Sequence, residues 1–238
     1  MDTQFSLESD GPFNFAEGEM LLIDKPLDWT SFDAVNKIKY LLRDKFQKKI
    51  KVGHAGTLDP RATGLLIVCT GKKTKTIASL QGLDKIYTGE FEIGATTPTY
   101  DTEAEINETF PIEHIDYDML IETAQKFKGF QQQYPPAHSA VWKNGKRAYE
   151  LARKGEEVEL EPRSIKIHYF EILDYNPPIV RFEVKCSKGT YIRSLANDFG
   201  KALNSGAYLK TLRRTKIGEY SLADALTLPQ FEFMVKHT

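Results

Sequence analysis

The sequence predicts an α+β domain with a mixed, mainly antiparallel sheet flanked by helices, on three observations. Stretches of period-two alternation interleave with stretches of helical spacing too irregularly for a doubly wound parallel sheet. Two strand-like runs, Ile165 to Leu173 and Ile179 to Cys186, flank the turn Asn176-Pro177-Pro178 and read as an antiparallel pair. No repeat or low-complexity segment interrupts the pattern.

The elements follow in chain order. Residues 1–18 are acidic and polar and read as a loose tail. Met20 to Asp24 is a short strand closed by Lys25-Pro26. Ser31 is placed as the cap of a helix in which Phe32, Val35, Ile38 and Leu42 recur at helical spacing, leaving its lysines outward. Gly53 to Gly64 is read as a loop and Leu65 to Cys69 as a buried strand. Thr70-Gly71 leads into a helix to about Leu80, Tyr87 to Ile93 alternates as a strand, and an acidic loop follows. Glu113 to Lys128 is read as a helix ending at Gly129. A loop with Pro135-Pro136 then precedes Ser139 to Trp142 and a helix near Arg147 to Arg153. Beyond the paired strands, Thr190 is placed as the cap of a helix whose Ile192, Leu195 and Phe199 face inward and which stops before Ser205-Gly206. Leu209 to Ile217 returns as a strand. This gives a tail (1–18), one domain (19–218) and a short helical extension (219–238), because the 24 residues after Arg214 are too few for another domain.

With 238 residues, 41% of them hydrophobic, the chain can bury a sizeable core. No run approaches the ~18 apolar residues of a membrane span, and the acidic N-terminus does not resemble a secretory signal. Cys69 and Cys186 lie far apart without C-x-x-C spacing, so they are read as strand residues in a reducing, cytoplasmic compartment. The formal net charge is −1, but its distribution is uneven. Lys37, Lys39, Arg43, Lys45, Lys48, Lys49 and Lys51 crowd one stretch, and further clusters follow at Lys72, Lys73 and Lys75, at Lys143, Lys146 and Arg147, and at Lys210, Arg213, Arg214 and Lys216. Residues 86–125 carry ten acidic side chains, among them Asp101, Glu103 and Glu105, and no lysine or arginine. Such segregation suits a phosphate backbone, and it equally describes solvated helix faces.

The densest chemical signal runs from Gly53 to Leu66, G-H-A-G-T-L-D-P-R-A-T-G-L-L. Glycines at 53, 56 and 64 permit positive φ and close approach of a ligand, and Asp59, immediately before Pro60, is held extended at a loop tip. An Asx turn in which Asp59 caps Ala62 is the structural alternative. The glycine spacing fits neither G-x-x-x-x-G-K-[ST] nor G-x-G-x-x-G. The five histidines show no ligand spacing, so no metal is expected, and the H-x-E and P-C-x-x-C pattern of a nucleobase deaminase is absent.

The fourteen residues from Gly53 to Leu66 resemble the catalytic signature of the bacterial tRNA pseudouridine synthase B (TruB) family, and further blocks match it in order. These are Leu22 to Pro26 with Trp29 to Phe32, Asp84 to Tyr87, Pro135-Pro136 through Ser139-Ala140 with Gly145 to Arg147, Tyr149 and Ala152-Arg153, then Cys186 to Arg193, and finally Leu212 to Arg214. The resemblance spans roughly residues 20 to 218 and implies the pseudouridine synthase fold. It implies Asp59 as nucleophile, Tyr87 as the ring on which the target base stacks, Arg193 as the partner of the nucleophile, and Leu212 as an apolar contact to the base. His54 is placed to fill the position vacated by a flipped base, Gly56 and Thr57 to contact the substrate, and Lys25 to buttress the loop. Without the motif, Arg193 would be a surface arginine, Tyr87 a core or surface filler on an alternating strand, and Leu212 a core residue. Departures from the pattern are Asp28 where glycine is common, His138 where tyrosine or phenylalanine is usual, and Trp142 where lysine is frequent.

The implied reaction breaks N1–C1′, rotates the uracil and rejoins it through C5. It consumes no electron, phosphate or metal, so no cofactor is implied and a carboxylate suffices as nucleophile. An ionised carboxylate in a water-excluding pocket requires a cation beside it, which Arg193 in the first turn of a helix can supply. The implied partner is the T-arm stem-loop of tRNA, bound by a monomer without membrane or guide RNA. A non-catalytic chaperone of the T-arm would share every binding residue. A guide-dependent relative acting on ribosomal RNA would be expected to keep the C-terminal RNA-binding domain that the sequence is read as lacking.

Overall fold

The computed structural model describes residues 13–139, 142–143, 145–148 and 160–237. Among these, strand β1 (Met20–Lys25) leads into helix α1 (Ser31–Phe46), then β2 (Val52–His54) and β3 (Ala62–Thr70). A 3-10 turn (Gly71–Thr76) and helix α2 (Ile77–Gln81) precede β4 (Lys85–Ile93), and a small hairpin pairs β5 (Ala95–Thr96) with β6 (Glu108–Thr109). Helix α3 (Tyr117–Lys126), β7 (Gly129–Gln133) and a second hairpin of β8 (Trp142–Lys143) and β9 (Lys146–Arg147) come next. They are followed by β10 (Arg163–Asn176), β11 (Ile179–Cys186), α4 (Ile192–Ala202), β12 (Ala207–Ile217), β13 (Tyr220–Ser221), β14 (Leu226–Thr227) and α5 (Leu228–His237).

The main sheet has the order β14-β1-β3-β12-β4-β11-β10-β7, with β2 on β3 and β13 on β12. Only the β1–β14 and β3–β12 pairs are parallel, so the mixed, mainly antiparallel α+β prediction holds. One core gathers Phe91, Phe170, Phe182 and Phe199 beneath α3 and α4, with Phe91 and Phe182 stacked at 4.1 Å between ring centroids. A second packs Val35, Ile38 and Leu42 of α1 against Ile23, Leu66, Val68 and Phe231. Cys69 and Cys186 are buried in strands, as predicted.

The feature that positions the site is a split along one edge of β3. Strand β1 occupies the other edge over residues 64–69. The split edge pairs in parallel with β12 at Ala62, Thr63 and Gly64, and antiparallel with β2 at Val68, Cys69 and Thr70. Between these pairings the chain leaves β2 as the loop 55–61. The predicted loop from Gly53 to Gly64 is therefore shorter, because both of its ends are drawn into the sheet. Gly56 and Gly64 have the expected positive φ, whereas Gly53 is a strand residue kept small by Ile77, whose Cδ1 would lie 2.9 Å from an added Cβ.

Four sequence placements need correction. Residues 13–18, read as part of a loose tail, pack onto the domain: Phe15 is buried in the second core against Phe231, and Glu17 O accepts from Lys72 N. The cap of α1 is Thr30, whose Oγ1 accepts from Asp33 N (3.0 Å) while its own N–H donates to the Asp33 carboxylate (2.9 Å). Ser31 instead starts the helix, buried, with its hydroxyl donating to Leu58 O (3.1 Å) and accepting from Leu58 N (2.8 Å). This rotates the helix so that Ser31 and Ala34 face inward and Phe32 is 66% exposed. Thr190 does not cap α4: its hydroxyl donates to Ser187 O, and the Gln133 side chain brackets Tyr191 by accepting from its N–H and donating to its carbonyl. Helix α3 begins at Tyr117 rather than Glu113, because the Asp116 carboxylate accepts from Met119 N and caps it there. The helix predicted near Arg147 to Arg153 lies mostly outside the described residues.

Gly64 has φ 102°, and a Cβ there would lie 2.4 Å from Arg214 O. Gly64→Ala should therefore destabilise the protein by about 2 kcal/mol or more, through backbone strain and forced separation of β3 from β12. Chemical denaturation of the two proteins measures this directly.

Candidate active site

Alternation along β4 and β12 directs Lys85, Tyr87, Leu212 and Arg214 toward one cavity of about 800 Å³, whose opposite wall is the loop 55–61 and the N-terminus of α4. Tyr87 sits directly across from Arg214, and Arg214 directly across from Gly64. Of the predicted site residues, the structure brings Asp59, Tyr87, Arg193, Leu212, Gly56 and Thr57 together around this cavity.

The loop is held on several sides. Leu58 is tied to Ser31 as described, Pro60 O accepts from Asp28 N (2.9 Å), and Gly56 O accepts from Arg214 Nη2 (3.0 Å). Asp28 has φ 61°, the left-handed region that glycine or a short polar residue tolerates, and its carboxylate pairs with Arg61 at 2.8 Å. Lys25, fully buried, donates to Pro26 O (2.8 Å) and Trp29 O (2.6 Å) and so braces the turn beneath the loop. The Asx-turn alternative fails for the Asp59 side chain: it is the Asp59 carbonyl that accepts from Ala62 N (3.1 Å).

The Asp59 carboxylate instead reaches Arg193, with Oδ2 2.9 Å from Nε, while its side chain keeps 41% of its surface exposed to the cavity mouth. Arg193 is buried behind it, donating from Nη1 to Thr99 O (3.3 Å) and from Nη2 to His138 O (3.1 Å). A second carboxylate, Asp101, stands 3.5 Å from the same Nε. It is almost fully buried and accepts from Thr99 Oγ1 (2.6 Å) and Glu103 N (3.0 Å).

Arg214 is the largest fully buried side chain of the described residues. Its Nε donates to Leu65 O (2.8 Å) and its Nη2 to Gly56 O (3.0 Å), and its positive charge stands beside the Tyr87 phenol. Burial raises the Tyr87 pKa above the ordinary phenol value against the opposing pull of Arg214, so the ring carries a neutral hydroxyl at physiological pH. Lys85 donates to Gln81 O (2.7 Å) and Leu83 O (2.6 Å) at the end of α2, and burial, reinforced by Arg214, brings its pKa to about 8. Lys25 is likewise brought to about 8 by burial, which Asp59 partly offsets.

His54 does not join the group. It lies in β2 opposite Val68 and is not part of the cavity wall, and burial followed by the charge of Arg214 lowers its pKa. Sequence reasoning missed Arg214, Lys85 and Asp101 as site residues. Arg214 stands in a basic cluster and at the end of the family-matched block Leu212 to Arg214, which points to Leu212 alone, and Asp101 stands in an acidic loop. For Lys85 a signal was present, since it is two residues from Tyr87 on an alternating strand.

The chain resembles known proteins over most of its length. Residues 43–192 match the family model described as "TruB family pseudouridylate synthase (N terminal domain)", and residues 193–237 the one described as "tRNA pseudouridylate synthase B C-terminal domain". The second segment is built into the same main sheet through β12. The tRNA pseudouridine synthase B of Flavobacterium johnsoniae is 58% identical over 223 residues, covering 93% of this chain and 97% of the relative. That of Chlorobaculum tepidum is 52% identical, covering 89% and 88%. A chain of the archaeal box H/ACA sRNP Nop10-Cbf5 complex superposes with a TM-score of 0.67 at 26% identity, covering 93% of this chain and 54% of that one. A chain of a Cbf5-Nop10-Gar1 complex gives 0.67 at 28%, covering 92% and 54%, so this chain spans about half the length of those solved chains.

Lys85 ionises near pH 8 when folded and near 10.5 when unfolded. Between these values the unfolded chain binds more protons, so stability rises with pH as the cost of the buried charge disappears. A Lys85→Met variant lacks this gain, and its deficit relative to the parent should widen by roughly 1–3 kcal/mol from pH 7.5 to 10.5, measured by denaturant unfolding across that range.

Proposed function

The chain belongs to the TruB family of pseudouridylate synthases, and from that membership we propose that it isomerises the T-loop uridine of tRNA to pseudouridine, with Asp59 as nucleophile. The observation that carries the assignment is a half-exposed carboxylate paired at 2.9 Å with a buried guanidinium, facing a cavity walled by Tyr87 and Leu212. Identity of 58% to a tRNA enzyme, against 26–28% to the chains from H/ACA complexes, favours a tRNA substrate acted on without a guide RNA. The protein acts as a monomer in the cytoplasm.

The reaction conserves every atom. The N1–C1′ bond breaks, the uracil turns within the cavity, C5 bonds to C1′, and the proton lost from C5 is balanced by one gained at N1. Asp59 works at the sugar, where positive character develops as the glycosidic bond loosens. Arg193 holds the carboxylate beside a fixed opposite charge. Tyr87 offers a flat face to the uracil, a contact worth about 1–3 kcal/mol per base, and Leu212 closes the apolar side. Its protonated hydroxyl can exchange a proton with the base or sugar. The cavity excludes a base that remains stacked in a folded loop, so the uridine must be extruded before reaction.

Asp59→Asn should lower tritium release from a T-arm RNA labelled at uracil C5 by at least about ten-thousandfold, while tRNA binding stays within a few fold. Equal loss of binding and turnover would make Asp59 a structural residue, and full retention of both would favour a non-catalytic T-arm chaperone.

A further inference from the structure

At the opposite end of β3 from the loop 55–61, a second concavity of about 300 Å³ is lined by Lys48, Lys49, Lys51, Lys72 and Lys75 and by no carboxylate among the described residues. It is a built feature. Gly71 N donates to Lys51 O (2.9 Å), Lys72 N donates to Glu17 O (2.9 Å), and a Cβ at Gly71 would lie 2.2 Å from Ala16 O, so three chain segments meet there in close backbone contact. Glu17 at the rim pairs with Lys72 at 2.5 Å. Lys48, Lys49, Lys51 and Lys75 are exposed and have no ion-pair partner among the described residues. Four exposed lysines brought onto one hollow, with Glu17 at the rim acting on Lys48 as well as Lys72, repel each other, and a polyanion relieves that repulsion.

We infer that this lysine hollow binds the phosphodiester backbone of the substrate RNA at a segment outside the target loop. The inference rests on the RNA substrate proposed above, which supplies a polyanion of the required length. Strand β3 has nine residues, so its ends are about 26 Å apart at roughly 3.3 Å per residue. In an A-form RNA helix, at about 2.8 Å per base pair, that separation is roughly nine base pairs. A short hairpin docked by its loop ends before the hollow, whereas a whole folded tRNA extends past it. The hollow thus distinguishes whole tRNA from an isolated arm.

The test combines Lys48→Gln, Lys49→Gln, Lys51→Gln and Lys75→Gln in the full chain. Filter binding and turnover are measured on an unmodified full-length tRNA transcript and on a T-arm hairpin with a five-base-pair stem. The expected result is at least tenfold weaker binding and higher KM for the full-length RNA, with a salt slope shallower by up to about 3.6, since each phosphate contact contributes about 0.9 to it. The hairpin should stay within twofold and kcat should not change on either RNA. Arginine at the same four positions should restore full-length binding. Unchanged binding of the full-length RNA, equal loss on both RNAs, or failure of the arginine set would each overturn the inference. A parent protein that binds both RNAs but releases no tritium would remove the catalytic proposal alone, because the binding comparison still decides the role of the hollow.

Discussion

A guanidinium enclosed by backbone oxygens, that of Arg214, is the interaction on which the arrangement of the site depends. Removing such a charge from water is costly unless its donors are satisfied. Here they reach two elements at once, Leu65 O on β3 and Gly56 O in the loop, with the phenol of Tyr87 on β4 beside the charge. The backbone of the same residue pairs with Gly64 on one side and Tyr87 on the other. The loop that bears Asp59 and the strand that bears Tyr87 therefore share one anchor, and neither can move without leaving a buried donor unpaired. That coupling explains why the glycine at 64 is steric in origin, since any side chain there would displace the backbone that positions the anchor.

Arg193 works differently, because it stands between two carboxylates in unequal settings. Asp101 is buried and already accepts from Thr99 and Glu103 N, so its charge is directed inward and secures the guanidinium from behind. Asp59 has no such ties on its side chain and remains open to the cavity. A guanidinium with its terminal nitrogens committed to Thr99 O and His138 O cannot swing out to follow a mobile partner. The ion pair thus holds Asp59 beside a charge whose position is fixed by the other contacts of the guanidinium, which a more flexible lysine would not provide.

Much of this was legible in the sequence where local chemistry and periodicity decide. The strands around Leu65–Cys69 and Tyr87–Ile93, the pair flanking Asn176-Pro177-Pro178, and the buried face of α4 follow from alternation and helical spacing. Asp59 stood out through its glycine-rich, proline-followed context, and the family resemblance added Tyr87, Arg193 and Leu212. What escaped depends on contacts between distant segments. Gln133 brackets Tyr191 from 58 positions away, and Ser31 is drawn inward by Leu58, 27 positions away, which is why each helix start was placed one residue off. Arg214 and Asp101 looked like members of solvated charge clusters, and only the fold reveals that they are enclosed. Asp28 is an instructive departure: the family's usual glycine is replaced by a residue that tolerates the same positive φ and gains an ion pair with Arg61.

These constraints also determine which partner must change shape. The loop is tied to α1 through Ser31, to β12 through Arg214 and to the turn after β1 through Asp28, so Asp59 and the cavity wall around it are held in place without a bound substrate. Prearranged dipoles and charges need no reorganisation at the moment of reaction, and that is where their advantage over water lies. A rigid pocket of this kind cannot open around a stacked uridine, so the conformational cost falls on the RNA, at a few kcal/mol for unstacking a base. Contacts distant from the cavity can offset that cost by binding the same RNA molecule elsewhere, and the lysine hollow at the far end of β3 is where we infer such a contact.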